Sequence, residues 1–280
     1  MAELVQRFTF AGRTCVITGA AGGIGAALAL ELARRRSVLA LVDRDAAGLE
    51  RVAGMARELG ATDVSAYTLD LSDGGDRRDL AAQVLARHGR ADLLVNNAGV
   101  TLTGTFEQNS LADVEWLLEI NLHAVIRMTK AFLPQLLDGP GSHVVNVSSL
   151  FGLLAPPGQV AYATSKYAVR GFTEALRHEL EPRGVGVTVV HPGGVRTGIA
   201  ANARVSGLDP DGEQAAQARR FAEAALTLPP EEAARQIVAA IQSRRPRLVI
   251  TRAAKAGDWL ARITPSRYWR ISELVARRLR

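Results

Sequence analysis

The sequence predicts an α/β protein: a doubly wound parallel sheet of about seven strands with helices on both faces. Three observations carry that prediction. Short apolar runs alternate with longer helical patterns from Thr14 to Ile250, and runs that are apolar throughout, not alternating, mark strands buried on both faces. A glycine-rich turn, Gly19 to Gly25, separates the first run from the first helix. No internal repeat or low-complexity linker divides the chain.

Thr14 to Thr18 is the first strand, and Ile24 to Arg36, rich in alanine and leucine, the first helix. Val38 to Val42 is a second strand closed by Asp43, and Ala46 to Leu59 a helix stopped at Gly60. Val64 to Leu69, Arg77 to Arg87 and Asp92 to Val95 continue the alternation, the last followed by Asn96-Asn97-Ala98-Gly99. Leu111 to Leu137 reads as one long helix, stopped by the turn signal Asp138-Gly139-Pro140-Gly141. His143 to Val147 is a fifth strand ending at Ser148-Ser149, and Ala161 to Leu180 a helix. Gly186 to Val190 is a sixth strand, ending in His191-Pro192-Gly193-Gly194. Thr197 to Pro230 is irregular, with a helix expected around Glu213 to Ala225. Pro229-Pro230-Glu231-Glu232 opens a helix to about Ser243, because proline suits the first helical positions. Arg247 to Ile250 is the seventh strand.

The 280 residues are 48% hydrophobic and 22% charged, which fits one large α/β domain, residues 1–251, with an extension over 252–280. The net charge of +6 lies wholly in that extension, where eight basic residues face two acidic ones. The main domain is neutral, so the basic pI of 10.1 is no argument for nucleic-acid binding. The single cysteine, Cys15, rules out a disulfide within the chain and points to a reducing compartment. Met1 to Phe10 has no signal-peptide apolar region, and no stretch approaches the ~20 apolar residues of a membrane span. A cytoplasmic protein is the expectation.

Two stretches carry chemistry. Glycines between a strand and a helix let the backbone approach a pyrophosphate at the helix N-terminus, and Gly19, Gly23 and Gly25, with Ile24 opening the helix, are so placed. Asp43, 18 residues after Gly25, ends the second strand, where a carboxylate can bind a ribose 2′-hydroxyl and repel a 2′-phosphate. Tyr162 and Lys166 lie four apart on a helix and so share a face. A free phenol, with a pKa of about 10, is a poor base at neutral pH, and a neighbouring ammonium would lower it. Ser149, 13 residues before Tyr162, ends a strand on the side where parallel sheets bind ligands. Asn121 sits mid-helix against its propensity. The five histidines form no ligand-spaced cluster, and no metal is expected.

Together, Thr18-Gly19-x-x-x-Gly23-x-Gly25, Asn96-Asn97-Ala98-Gly99, Asn121, Ser149, Tyr162-x-x-x-Lys166 and Pro192-Gly193 resemble the short-chain dehydrogenase/reductase family, in the family's order. The resemblance implies a Rossmann-type fold, a nicotinamide dinucleotide and a homodimer or homotetramer. It implies that Asn121, Ser149, Tyr162 and Lys166 are catalytic, with Asn121 bending its helix and helping to hold a water beside Lys166. Ser149, and not Ser148, takes the serine role. For the cofactor it implies Asp70-Leu71 at the adenine, Asn97, Ala98 and Gly99 along the crevice, and Lys166 with Tyr162 near the ribose. Pro192, Gly193, Val195 and Thr197 follow on the nicotinamide side. Asp70 reads equally well as a turn residue. Asp43 and Gly22, where NADP-preferring relatives often carry a basic residue, favour NAD; Arg44 leaves NADP open. The implied reaction is hydride transfer between an alcohol and a carbonyl. The other reading is a dinucleotide-binding regulator or scaffold that catalyses nothing.

Leu150 to Pro157 is apolar and carries no charge to clamp a carboxylate or phosphate, which points to a hydrophobic alcohol, aldehyde or ketone. Gly198 to Leu228 is the expected lid, its arginines Arg204, Arg219 and Arg220 solvated. The extension reads as two short amphipathic helices around Trp259, Leu260, Ile263 and Trp269. Burial of that stripe against the domain or a partner subunit is favoured over contact with an anionic membrane surface.

Overall fold

The computed structural model describes residues 7–75, 77–139, 141–199, 203–205 and 226–271. In chain order the elements are β1 (Thr14–Thr18), α1 (Gly23–Ala33), β2 (Val38–Asp43), α2 (Ala46–Glu58), β3 (Asp63–Thr68), α3 (Arg78–His88), β4 (Leu93–Asn96) and β5 (Leu102–Thr103). Then come α4 (Leu111–Leu118), a π-helical turn (Glu119–His123), α5 (Ala124–Asp138), β6 (His143–Val147), α6 (Val160–Leu180) and β7 (Gly186–His191). β8 (Arg204–Val205), α7 (Pro230–Gln242), β9 (Arg247–Val249) and α8 (Arg252–Ile263) complete them.

Seven strands form one sheet in the order β3-β2-β1-β4-β6-β7-β9, and every neighbouring pair is parallel. β1, β4, β6 and β7 are buried at every position, which is why they read as apolar-rich runs without strict alternation. One face of the sheet packs on α1, α2 and α7 through Leu28, Leu32, Leu49 and Ile237. The other packs on α3, α5 and α6 through Val84, Met128, Phe132 and Leu180. Each fully buried leucine contributes about 1.5–3 kcal/mol over its exposed state, so this double core can tolerate a buried charge at the cleft. The strand order reverses between β1 and β4, and the C-terminal ends of β1, β4, β6 and β7 meet there.

The long helix carries a π-helical turn at Glu119–His123, around Asn121, where the resemblance implied a bend. One feature departs from the sequence reading. β5 and β8 form a separate parallel pair, Leu102 with Arg204 and Thr103 with Val205; two-residue strands are too short to leave an apolar pattern. The helix expected at Glu213 to Ala225 lies outside the described residues. No described helix is long and apolar enough to cross a membrane.

Candidate active site

At the nucleotide end, closeness of backbone replaces side chains. Gly19 has φ +67°, and a Cβ there would lie 2.9 Å from both Ala98 Cα and Asn97 Nδ2. A Cβ on Gly25 would overlap the Gly19 carbonyl oxygen. Thr18 Oγ1 accepts hydrogen bonds from the Asn97 and Ala98 amides, each at 3.0 Å, and Asn97 Nδ2 donates to Thr18 O at 3.0 Å and Gly19 O at 3.3 Å. Asn97 thus ties the end of β4 to the glycine turn. Thr18, which the sequence offers only as the first residue of the glycine motif with no role of its own, shares that work.

Asp43 Oδ2 accepts from the Ala21 amide at 3.0 Å and Oδ1 from the Asp45 amide at 3.1 Å, so its carboxylate is fixed at the end of β2 beside the turn. Arg44 is exposed. Asp70 is exposed and its Oδ1 accepts from the Ser72 amide at 2.9 Å, the geometry of the turn reading. The Leu71 side chain is in the core, as are those of Ile24 and Val195, so any contact these three make with a cofactor is through the main chain or an edge. Across the crevice, a Cβ on Gly23 would stand 3.3 Å from the Thr197 side chain. Pro192 O accepts from the Leu150 amide at 2.8 Å, joining the turn after β7 to the turn after β6.

At the reacting end the groups are long side chains held in a dry place. Ser149 is half-buried at the cleft and Tyr162 only 9% exposed. The Ser149 hydroxyl is near enough to the Tyr162 phenol to lower its pKa. The Ser149 Oγ also accepts from the Phe151 amide at 3.1 Å. Ser148 is turned into the core, where its Oγ donates to Lys166 O at 2.8 Å, and so stands apart from the cleft. Phe151 meets the Tyr162 ring edge-on, with centroids 6.0 Å apart. Lys166 Nζ donates to Val147 O at 3.1 Å and lies 5.7 Å from the Tyr162 ring centroid.

The expectation that Lys166 lowers the Tyr162 pKa needs correction. Burial pushes the phenol above its ordinary value, and the Ser149 hydroxyl only partly offsets this. Burial also pushes Lys166 down to about 8. Both groups share one desolvated pocket, and desolvation opposes the charged form of each. The ammonium is moreover committed to the Val147 carbonyl.

Asn121 is fully buried in the π turn. Its Oδ1 accepts from the Val100 amide at 2.8 Å, and its Nδ2 donates to Val100 O at 2.9 Å and Ser165 Oγ at 3.2 Å. It therefore clamps the chain just after Asn96-Asn97-Ala98-Gly99. A Cβ on Gly99 would lie 3.3 Å from both Asn121 Oδ1 and Lys166 Nζ, so only glycine lets that chain pass between them unforced.

Arg204 is not simply solvated, as the sequence reading had it. Its guanidinium lies 4.8 Å from the Trp116 ring centroid, and its Nε is 2.9 Å from Asp113 Oδ1. The pair β5–β8 brings it onto α4. Arg219 and Arg220 lie outside the described residues.

The described part of the extension meets the domain through Ala254, Gly257, Asp258 and Tyr268, with Leu260 and Trp269 half-buried and Trp259 and Ile263 outward. Ala254 is fully buried, and a Cβ on Gly193 would lie 2.8 Å from the Ala254 methyl. Gly257 packs on Leu154. Arg247 makes two hydrogen bonds to the Asp258 carboxylate, at 2.7 and 3.0 Å, and the Ala155 amide donates to Tyr268 Oη at 2.9 Å. Trp259 and Ile263 are 69% and 59% exposed. A small residue, Ala254, faces Gly193 because α8 lies close over that turn.

A glycine turn at the reversal point of a parallel sheet, beside a Ser–Tyr–Lys set at the next strand end, marks a dinucleotide-linked oxidoreductase. The chain belongs to the short-chain dehydrogenase family, whose model matches residues 13–206. It is 42% identical to the putative oxidoreductase SadH of Mycobacterium tuberculosis, over 94% of this chain and 95% of that one. It is 33% identical to estradiol 17-beta-dehydrogenase 11 of Pongo abelii, over 94% and 83%. Among solved structures it resembles a short-chain dehydrogenase/reductase from Burkholderia phymatum in complex with NAD, with TM-score 0.84, 32% identity, and 92% and 95% of the two chains covered. It also resembles a short-chain dehydrogenase from Sphingobium yanoikuyae in complex with NADPH, with TM-score 0.73, 28% identity, and 87% and 91% covered.

Proposed function

We propose that the protein interconverts an alcohol and a carbonyl on a hydrophobic substrate, using NAD in preference to NADP. The observation that carries this reading is the placing of Ser149, at the C-terminal end of β6, beside the buried Tyr162, with Lys166 one helical turn along α6. This set lies on the same side of the sheet as the turn where Gly19 and Gly25 pack on Asn97, Ala98 and each other with no room for a Cβ.

Gly19, Gly23 and Gly25 would hold the pyrophosphate, and the fixed Asp43 carboxylate the adenosine ribose. Asn97 to Gly99 and Pro192 to Thr197 would line the nicotinamide half. The bound dinucleotide supplies the hydride acceptor or donor and, when oxidised, a positive charge. Ser149 Oγ holds the substrate oxygen. Tyr162 Oη removes the proton from an alcohol, or delivers it to a carbonyl. Lys166, pushed to about 8, can hold or release a proton near neutrality at the edge marked by Gly99 and Asn121. The dry phenol needs an added positive charge to ionise near neutral pH, so proton transfer becomes coupled to an occupied crevice. Asp43 supports NAD because its two oxygens are held in place by main-chain amides and would repel a 2′-phosphate.

Leu150, Phe151 and Leu154 supply an uncharged wall, and the similarity to an enzyme named for a steroid alcohol supports an apolar substrate. Membership of this family also supports a homodimer or homotetramer. The test is absorbance at the reduced-nicotinamide band, with NAD or NADP and a panel of apolar alcohols. Wild type is expected to turn over with NAD favoured. Tyr162→Phe should lower kcat roughly 100- to 10,000-fold while the dinucleotide Kd changes less than about 3-fold. Near-normal turnover in the variant sinks the assignment. Binding without turnover by wild type across the panel would favour the regulatory reading.

A further inference from the structure

The end of β7 holds a histidine that the reaction as proposed does not use. His191 is fully buried. Its Nδ1 is 3.0 Å from the Ser149 main-chain carbonyl oxygen. A carbonyl only accepts, so Nδ1 carries the proton. Nε2 is buried with no partner among the described residues, and an unpaired lone pair there costs less than an unpaired N–H would. The ring is therefore a fixed tautomer with its one donor aimed at Ser149. Burial supports this by pushing the imidazole down to about 4, with the charges of Arg247, Arg170 and Asp258 nearby as lesser influences.

Ser149 is placed by few contacts. It is extended, with φ −161° and ψ 169°, and its own Oγ caps the short turn at Leu150–Gly152. Its carbonyl accepts from the Gly152 amide at 3.0 Å, within the same turn. Among the described residues, β7 and the turn after it reach this segment through three bonds: the Ser148 amide on Val190 O, His191 Nδ1–H on Ser149 O, and the Leu150 amide on Pro192 O. The two that flank the Ser149 side chain on its C-terminal side come from adjacent residues at the end of β7, immediately before Gly193. One strand end thus sets both the serine that would hold the substrate oxygen and the turn that would line the nicotinamide.

We infer that His191 is a positioning residue: its Nδ1–H bond to the Ser149 carbonyl locks the Ser149 hydroxyl in register with Tyr162 and with the Pro192–Gly193 turn. This rests on the Ser149–Tyr162 reading above and adds a third, neutral member that never meets the substrate. His191→Leu keeps bulk and loses the donor. His191→Asn places an amide N–H near the Nδ1 position and keeps it.

Two readouts test the inference. In turnover, His191→Leu should lower kcat roughly 10- to 100-fold, the scale on which misplacement of a reacting group acts. Dinucleotide Kd should be unchanged, and His191→Asn should recover to within about 5-fold of wild type. Independently of any substrate, Tyr162 ionisation is followed by tyrosinate absorbance, with Tyr162→Phe subtracted. Because the Ser149 hydroxyl lowers the phenol, Ser149→Ala and His191→Leu should each move its titration upward, and the double variant should move it no further than Ser149→Ala alone. Additive shifts, an unmoved phenol in His191→Leu, or equal losses in the Leu and Asn variants would each overturn the inference, the last by showing that only packing matters. If His191→Leu does not fold, ¹⁵N-histidine spectra of wild type, assigned with His191→Asn, decide instead. They should show Nδ1 protonated and Nε2 bare at neutral pH; the opposite tautomer overturns the inference. Failure of the Tyr162→Phe turnover test with these signatures intact would reject the reaction and leave the positioning bond standing.

Discussion

At the nucleotide end of the crevice the working positions are glycines and main-chain amides; at the reacting end they are a buried phenol, a buried ammonium and a hydroxyl. The first end is shaped by what is missing. Gly19 and Gly25 close on Asn97, Ala98 and each other at distances no Cβ allows. The second end is shaped by what is desolvated. Tyr162 is pushed up and Lys166 down because each must form its charge in a dry pocket. The difference teaches where each end is fragile. The glycine turn fails by overlap, and so by substitution of almost any kind. The Tyr–Lys pocket fails by loss of charge control, while its packing survives.

The largest effect that would separate the two is at the turn. Gly25→Ala puts a methyl onto the Gly19 carbonyl and within 2.7 Å of Asn97 Nδ2. It should cost about 1–3 kcal/mol in unfolding free energy and weaken dinucleotide binding at least ~10-fold. Gly22, extended and with nothing near its missing Cβ, should accept alanine with no loss of stability. Chemical denaturation and dinucleotide titration of both variants check this, and equal behaviour would break the contrast.

Lys166→Met tests the other end. The folded pKa of about 8 lies below the ordinary lysine value of 10.5. Below pH 8 lysine is charged in both states and bears the whole burial penalty; between pH 8 and 10.5 the folded state sheds its proton first, and stability rises. Removing the amine should therefore stabilise the fold at pH 7 by up to about 3 kcal/mol. The gain should vanish toward pH 10.5, and turnover should be lost. A variant no more stable than wild type at pH 7 would show that burial of the ammonium carries no net penalty.

A smaller effect runs under acid. His143 is fully buried with its pKa pushed down to about 3, and His191 to about 4. Above pH 6.5 both stay neutral in either state. As pH falls below that, the unfolded chain takes up protons that the folded chain refuses. Stability should drop by about 2 kcal/mol per histidine by pH 5. His143→Gln should flatten that slope, and an unchanged slope would place the acid sensitivity elsewhere. The smallest effect belongs to the anchor on α4. Arg204→Ala loses the Trp116 stacking and the Asp113 pair, both half in solvent. It should raise KM about 2- to 5-fold for an apolar substrate and leave kcat alone; a fall in kcat would give Arg204 a part in the chemistry.

Much of this molecule is legible in its sequence because its causes are local. Strands buried on both faces are mostly apolar, so the Val, Leu and Ile runs of β1, β4, β6 and β7 announce themselves. A backbone that turns at φ +67° and touches its neighbour must be glycine at Gly19, and a helix puts Tyr162 and Lys166 on one face whatever surrounds it. Ser149 could be chosen over Ser148 by resemblance, and the fold sends Ser148 to the Lys166 carbonyl and leaves Ser149 at the cleft. Other facts are decided only when distant segments meet. The dryness that lifts Tyr162 against the pull of its neighbours depends on Phe151 and on the depth of α6. Arg204, still exposed, meets Trp116 and Asp113 because two residues of β8 pair with two of β5. Ala254 meets the domain at Gly193 because α8 comes close to that turn, and only small side chains permit it there. His191 looks like any histidine before a turn until β7 lies beside β6 and brings its Nδ1 to the Ser149 carbonyl. Sequence sets what the backbone can do within one element; the surroundings that fix a proton's place exist only in the assembled fold.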